Sequence, residues 1–300
     1  MNRLRHDTGQ AAVLTVIFMA ALLGAIAMVL DVGSWFREQR ATQSAADAAA
    51  LAGAQALPES TGTSTALANQ YLGSNGGGAG QITFSTKNVA NDTVTVKVTR
   101  QADGFFAKIF GIDSVNVHAK ASARSGNPDQ ARYAAPIAVD RKHPLLNCSP
   151  LPCFNQATTL DLQKTGPGAF RLLNLDGSKG GTGGKIDADW ILRGYDGYMP
   201  LGWYNSDPGA AFNDSKFKNA MTIRIGDELL FPVYDAVKGG GANFEYHVVG
   251  WVGFVVTSFK AQGNKGTVDG HFVRVIWEGI QGESGSNAED FGVRSVELVE

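Results

Sequence analysis

Cysteine is almost missing from this chain: Cys148 and Cys153 are the only two in 300 residues, and Ser-Pro-Leu-Pro separates them. A zinc site would need two further ligands, yet the five histidines (His6, His118, His143, His247, His271) are scattered. Neither a metal centre nor another cofactor is expected. An excess of one charge is missing too, since 26 basic and 28 acidic residues leave a net charge of −2 without any basic block. That composition lacks the electrostatic footprint of a nucleic-acid binder. Also missing are the His-Glu-x-x-His and Gly-x-Ser-x-Gly sequences that mark common hydrolase sites. The glycine-rich run 180–185 fails as a phosphate loop at both ends, with Lys179 where glycine is required and Ile186 where serine or threonine is required. Long apolar runs are missing with a single exception.

That exception is residues 11–30, AAVLTVIFMAALLGAIAMVL, which carry no charge. About twenty apolar residues is the length a helix needs to cross a hydrocarbon core of roughly 30 Å. Arg3 and Arg5 precede the run, and Arg37 and Arg40 follow it. The basic counts nearly tie, and because no long domain precedes the run, a cytoplasmic N-terminus with the rest outside is the expected topology. A cleavable signal peptide is the alternative, with Ala25-Ile26-Ala27 as a small-x-small site. Its apolar core would be shorter, about 7–15 residues. The helical pattern also continues beyond the run, so an uncleaved single-pass anchor in the cell membrane is the expectation.

Residues 40–58 read RATQSAADAAALAGAQALP, rich in alanine, the strongest helix former. Gln39, Gln43 and Asp47 recur every four residues as a polar stripe, while Ala41, Ala45, Ala49 and Gly53 line another face with small side chains. Small residues at this spacing allow close approach of a neighbouring helix, making that face a candidate association surface. Pro58 stops the helix. Continuous from residue 9 to 57, such a helix would measure roughly 74 Å at 1.5 Å per residue.

The sequence Gly9-Gln10-Ala11-Ala12-Val13, the apolar run, Asp31-Val32-Gly33 and the stretch QSAADAAALAGA at 43–54 together resemble the N-terminal segment of TadE/TadG-like proteins. The segments 104–112 and 119–123 also look like later parts of such proteins. The resemblance covers about sixty residues at the N-terminus and implies a role in assembly of bacterial Flp (tight-adherence) pili. Prepilin-like members of the wider group carry a glutamate five residues after the processing glycine, where this chain has Leu14. The resemblance is therefore to the anchored TadG type rather than to a pilin. It implies pilus-assembly or other envelope proteins as partners, beside the lipid bilayer expected from the apolar run and a second copy of the chain expected from the small-residue face.

The expected fold is α+β in three parts: residues 1–57 as an anchor helix, 58–130 as a small α/β unit with a linker, and 131–300 as a mainly β extracytoplasmic domain, barrel or sandwich. In the middle part, 58–65 reads as linker, 66–72 as a short helix, and 73–80 as too glycine-rich to be ordered on its own merits. Alternating runs at 82–84, 93–98 and 114–119 predict strands. Asp103 is expected to cap a helix over 104–109 that Gly111 closes. In the last part, strands are expected at 221–225, 229–234, 246–259, 272–277 and 293–299, with a short helix near 189–192. Outside the membrane, Cys148 and Cys153 are expected to form a short-loop disulfide.

Three functions are compatible with these features. The first is a non-enzymatic, membrane-anchored component of a Flp pilus assembly or related secretion apparatus. The second is an anchored hydrolase in residues 131–300, drawing on Asp161, Asp187, Asp196 or Asp235, although solvated turns account for those carboxylates as well. The third is a glycan-binding or adhesin module built on Tyr195, Tyr198, Trp203 and Tyr204. Asp176, Asp187 and Asp189 are a further candidate set for calcium, too few to fill its coordination shell.

Overall fold

The computed structural model describes residues 8–148, 152–162, 170–180, 183–207, 212–240, 243–262, 265–282 and 287–299. Contacts divide the chain into two compact units, one reaching to Arg124 and taking in the chain from Glu297, the other Ser125–Val296. The anchor helix and the small α/β unit, separate in the sequence reading, thus share one unit.

In the first unit, helix α1 (Thr8–Ala54) is followed by α2 (Thr61–Ser74), then strands β1 (Ala79–Ser85), β2 (Thr93–Asp103) and β3 (Ser114–Gly126). Helix α1 ends four residues before Pro58, in a turn where the N–H of Gln55, Ala56 and Leu57 bond three residues back. Where a linker is expected, Ser60 caps α2 instead, its hydroxyl accepting from the Thr63 N–H at 3.1 Å. The three strands pair antiparallel, with Val94, Val96 and Val98 opposite Ala123, Ala121 and Ala119. All six side chains are buried, and so are Ala45, Ala46, Ala49 and Ala50 of α1. Small residues on helix and sheet alike leave room for close packing.

The glycine-rich run before β1 is ordered from outside, because Arg100 of β2 holds it. Its guanidinium donates to the Gly77 carbonyl at 2.8 Å and the Asn75 carbonyl at 2.5 Å, and lies 3.5 Å from Glu38 of α1. A Cβ on Gly78, whose φ is +124°, would lie 2.9 Å from Val98, so glycine is required there by conformation and space.

The second unit contains short strands β4 (Gln130–Ala131), β5 (Ile137–Asp140), β6 (Ala157–Asp161) and β7 (Phe170–Leu172), then α3 (Gly184–Arg193). Strands β8 (Met199–Pro200) and β9 (Gly202–Asn205) precede α4 (Ser215–Ile223). The long strands β10 (Glu228–Lys238), β11 (Glu245–Gln262) and β12 (Lys265–Val273) follow, then β13 (Val275–Ile276), β14 (Gly279–Ile280) and β15 (Val293–Val299). The main sheet runs β6-β12-β11-β10-β5-β7, with β9 also on β11, and β14-β4-β8 form a small second sheet. This region is mainly β, as the sequence predicts, and its principal sheet is a path with two ends, covered on both faces. Phe231, Phe254 and Phe272 lie in one core with Ile191, Phe217 and Met221 from the helices, and Leu230, Val248 and Trp251 lie in the other. Burial on both faces explains why β10 and β11 read as nearly continuous apolar runs.

Two expected strands differ. Residues 221–225 begin within α4, because Phe217, Ala220 and Met221 repeat at helical spacing and Asp214 caps the helix by accepting from the Lys216 N–H. The run 272–277 breaks after Val273, and β13 then pairs in parallel with β15 through Val275 and Val293.

Candidate functional site

Most of the apolar part of α1 has no cover among the described residues: its most apolar stretch is 0% buried. This is the only candidate span among the described residues, and it continues in one helix to Ala54. The helix changes character at Asp31, which is 2% exposed.

Asp31 is the first rung of a ladder. Its carboxylate accepts from the backbone N–H of Phe105 at 2.9 Å, Phe106 at 3.0 Å and Ala107. Four residues on, the Trp35 indole N–H donates to the Asp103 carbonyl at 3.2 Å. Four more on, Gln39 donates to the His118 carbonyl at 2.6 Å, and after another four Gln43 donates to the Lys120 carbonyl at 3.1 Å. The periods match: four helical residues rise about 6 Å and two strand residues about 6.8 Å. One stripe of α1 can therefore address alternate carbonyls of β3, those of His118 and Lys120.

Asp31 also replaces the cap expected from Asp103. Strand β2 runs through Asp103, and the helical turn is a short 3-10 segment, Ala107–Phe110, closed by Gly111 at φ +80°. Its leading N–H groups point to a carboxylate on another element, an interaction that local sequence cannot reveal. Asp31 and Trp35 were missed as functional positions, although they extend the four-residue stripe of Gln39 and Gln43 by two steps.

The four small residues do not form one free face. Ala41 is exposed, whereas Ala45 and Ala49 are wholly buried. A Cβ on Gly53 would lie 3.3 Å from the Ala68 Cβ and 3.2 Å from the Ser64 hydroxyl. The close helical approach at Gly53 is thus made by α2 of the same chain.

Other candidate residues in the second unit are dispersed. Cys148 and Cys153 are disulfide-bonded with Cα atoms 5.7 Å apart, while residues 149–151 lie outside the described residues. Asp196 and Glu278 pair with Arg132. Asp235 pairs with His247 at 2.8 Å. Asp187 is buried in the first turn of α3, and Asp161 ends β6. Asp176 accepts from the Ser178 N–H at 2.8 Å, and Asp189 lies 3.4 Å from Arg193. Among the described residues, no group of three or more His, Cys, Asp or Glu is placed to hold a metal ion. The four aromatic residues each have their own ring or hydrogen-bond partners. Tyr195 packs edge-on to Trp190, Tyr198 donates to Glu278, Trp203 stacks near His247 and Lys238, and buried Tyr204 donates to the Pro200 carbonyl. Residues 181 and 182 of the glycine-rich run lie outside the described residues.

The family described as Putative Flp pilus-assembly TadE/G-like matches residues 9–56, which is α1 and the two residues after it. No curated protein matches the chain, and no solved structure does. The match links the N-terminal helix to Flp pilus assembly.

Proposed function

We propose that this chain is a non-enzymatic, membrane-anchored component of a Flp-type pilus assembly or related secretion apparatus. In this reading residues 11–30 cross the cell membrane once, with the N-terminus cytoplasmic, and the remainder of the first unit and the whole second unit are extracytoplasmic. The observation that carries the reading is the passage of an uncovered apolar helix, without a break, into the packed first unit. An uncovered surface of that length is stable in a bilayer and a liability in water. The ladder from Asp31 to Gln43 adds to it, because a helix clamped along a sheet transmits force and position from membrane to domain as one piece. The second unit offers a folded surface for envelope or pilus-assembly partners.

Protease added to spheroplasts tests the topology: the second unit should be removed while the span stays with the membrane. Full protection of the intact chain would reverse the orientation. Release of the chain into the medium with an N-terminus near Met28 would mean that residues 11–30 are a cleaved signal. Co-purification of pilus-assembly proteins from gently solubilised membranes tests the assembly role, and its loss should accompany loss of piliation on deletion.

A further inference from the structure

The β2–β3 connection, residues 104–112, has the sequence GFFAKIFGI, and its apolar side chains point outward. Ile109 is 80% exposed, Phe110 78% and Phe105 65%. Exposed as they are, three such side chains on one turn form an apolar patch with a single cation, exposed Lys108, among them. The opposite connection of the same sheet, 86–92, exposes one large apolar side chain, Val89, among Thr86, Lys87, Asn88 and Asn91.

Position along α1 says what covers the patch. Gly24, Ala27 and Met28 belong to the apolar run, and they line a groove of about 500 Å³ together with Phe106, Ala107, Phe110 and Ile112. Gly24 lies seven residues before Asp31, or roughly 10 Å at 1.5 Å per residue. A half-thickness of the hydrocarbon core is about 15 Å. If residues 11–30 span the bilayer, the turn held beside them has nowhere to lie except within the leaflet from which α1 emerges.

We propose that residues 104–112 are a second membrane anchor, immersed in the acyl chains of that leaflet with Phe105, Ile109 and Phe110 facing lipid. The inference rests on the span reading of residues 11–30. Backbone at such depth must satisfy its polar groups internally, and seven N–H groups of this turn have acceptors within the protein. Asp31 takes the N–H groups of Phe105, Phe106 and Ala107. The Gly104, Ile109, Gly111 and Ile112 N–H groups bond to the carbonyls of Asp113, Phe106, Lys108 and Ala107. Lys108 can extend its ammonium to the headgroups, as long cationic side chains do at interfaces. Asp31 would then serve two purposes, positioning the turn and making its backbone tolerable to lipid.

Both native cysteines are used in the disulfide, so single added cysteines can report position. Full-length Phe110→Cys, Met19→Cys and Val89→Cys would each carry an environment-sensitive NBD label. Each would be placed in phosphatidylethanolamine–phosphatidylglycerol vesicles containing lipids spin-labelled near either end of the acyl chain. The expected result is blue-shifted emission at Phe110→Cys, quenched most by the label near the headgroup, with Met19→Cys quenched most by the deep label and Val89→Cys by neither. Quenching at Met19→Cys without quenching at Phe110→Cys overturns the second anchor and leaves the span intact. Absence of quenching at both positions overturns the span and the inference with it. Blue-shifted but unquenched emission at Phe110→Cys overturns lipid in favour of a protein cover.

Discussion

The carboxylate of Asp31 accepts the backbone N–H of Phe105, 74 positions further along the chain, at 2.9 Å. The next two N–H groups reach the same carboxylate, so one side chain fixes the start of a turn that belongs to another element. Asp31→Ala leaves those donors unpaired, and Asp31→Asn supplies a single acceptor and brings an amide N–H where an acceptor is needed. Both variants should exchange amide hydrogen faster at 105–107 in lipid nanodiscs, with the alanine variant the faster. Unchanged exchange in both would show that the turn holds itself.

Gln39 and Gln43 tie α1 to neighbouring carbonyls of β3. Gln39→Ala removes one hydrogen bond, and Gln43→Ala removes two, because Gln43 also donates to the Asp47 carboxylate at 2.7 Å; each lost bond should destabilise the first unit by about 1 kcal/mol. Chemical unfolding of detergent-solubilised protein, followed by exchange in β3, would register this. A loss confined to binding of partners, with stability unchanged, would mean that the stripe faces outward.

Packing of α1 against the remainder of its unit makes a distinct claim about the small residues. Ala49 is wholly buried, so Ala49→Leu overpacks an interior and should lower stability by about 1–3 kcal/mol. Exposed Ala41 offers the contrast, and Ala41→Leu should be nearly neutral. If Ala49→Leu keeps full stability and only the oligomeric state changes, the face is an association surface after all.

Much of this arrangement was legible from periodicity. Residues 11–30 and the alanine-rich run at 43–54 identify one long helix, and the alternating valines of β2 identify a half-buried strand. Long-range contacts account for the differences. The stripe of Gln39 and Gln43 was visible, but that its partners are β3 carbonyls depends on which edge lies beside it. Asp103 looked like a cap because it precedes a helical turn by the ordinary spacing, whereas the carboxylate used is Asp31, on another element. Residues 221–225 look like a strand when read alone and become the end of a helix once Phe217 and Met221 are seen to pack in one core. The order of glycines 76–78 depends on Arg100, about two dozen residues away, and local composition carries no trace of it.

Cys148 and Cys153 enclose a short loop, and loop entropy gives such a bond about 2 kcal/mol of stabilisation. Both thiols should resist alkylation in intact cells until a reductant is added, and Cys148→Ser with Cys153→Ser should leave the chain folded and membrane-bound with modestly lower stability. Free thiols in freshly opened cells would argue against an oxidising location for the second unit.

Asp92 predicts how the first unit responds to acid. The side chain is 2% exposed, and its carboxylate accepts the N–H groups of Lys87, Asn88 and Val89 and the Thr93 hydroxyl. Burial alone would raise its pKa, but the bonds from Val89, Asn88, Lys87 and Thr93 together outweigh burial and hold it below the ordinary carboxylate value. The unfolded chain therefore binds the proton more tightly than the folded one. This contribution is complete above about pH 4, where the unfolded carboxyl is already ionised, and is lost as pH falls through the lower folded value. Asp92→Ala should cost about 1–3 kcal/mol at neutral pH by leaving buried donors unpaired. Asp92→Asn retains one acceptor and cannot titrate, so the stability difference between wild type and Asp92→Asn should be constant at neutral pH and shrink on acidification below about pH 4. Hydrogen exchange at 87–89, corrected for intrinsic rates at each pH, measures that difference locally. A gap that stays constant into acid would show that the carboxylate charge contributes nothing to this turn.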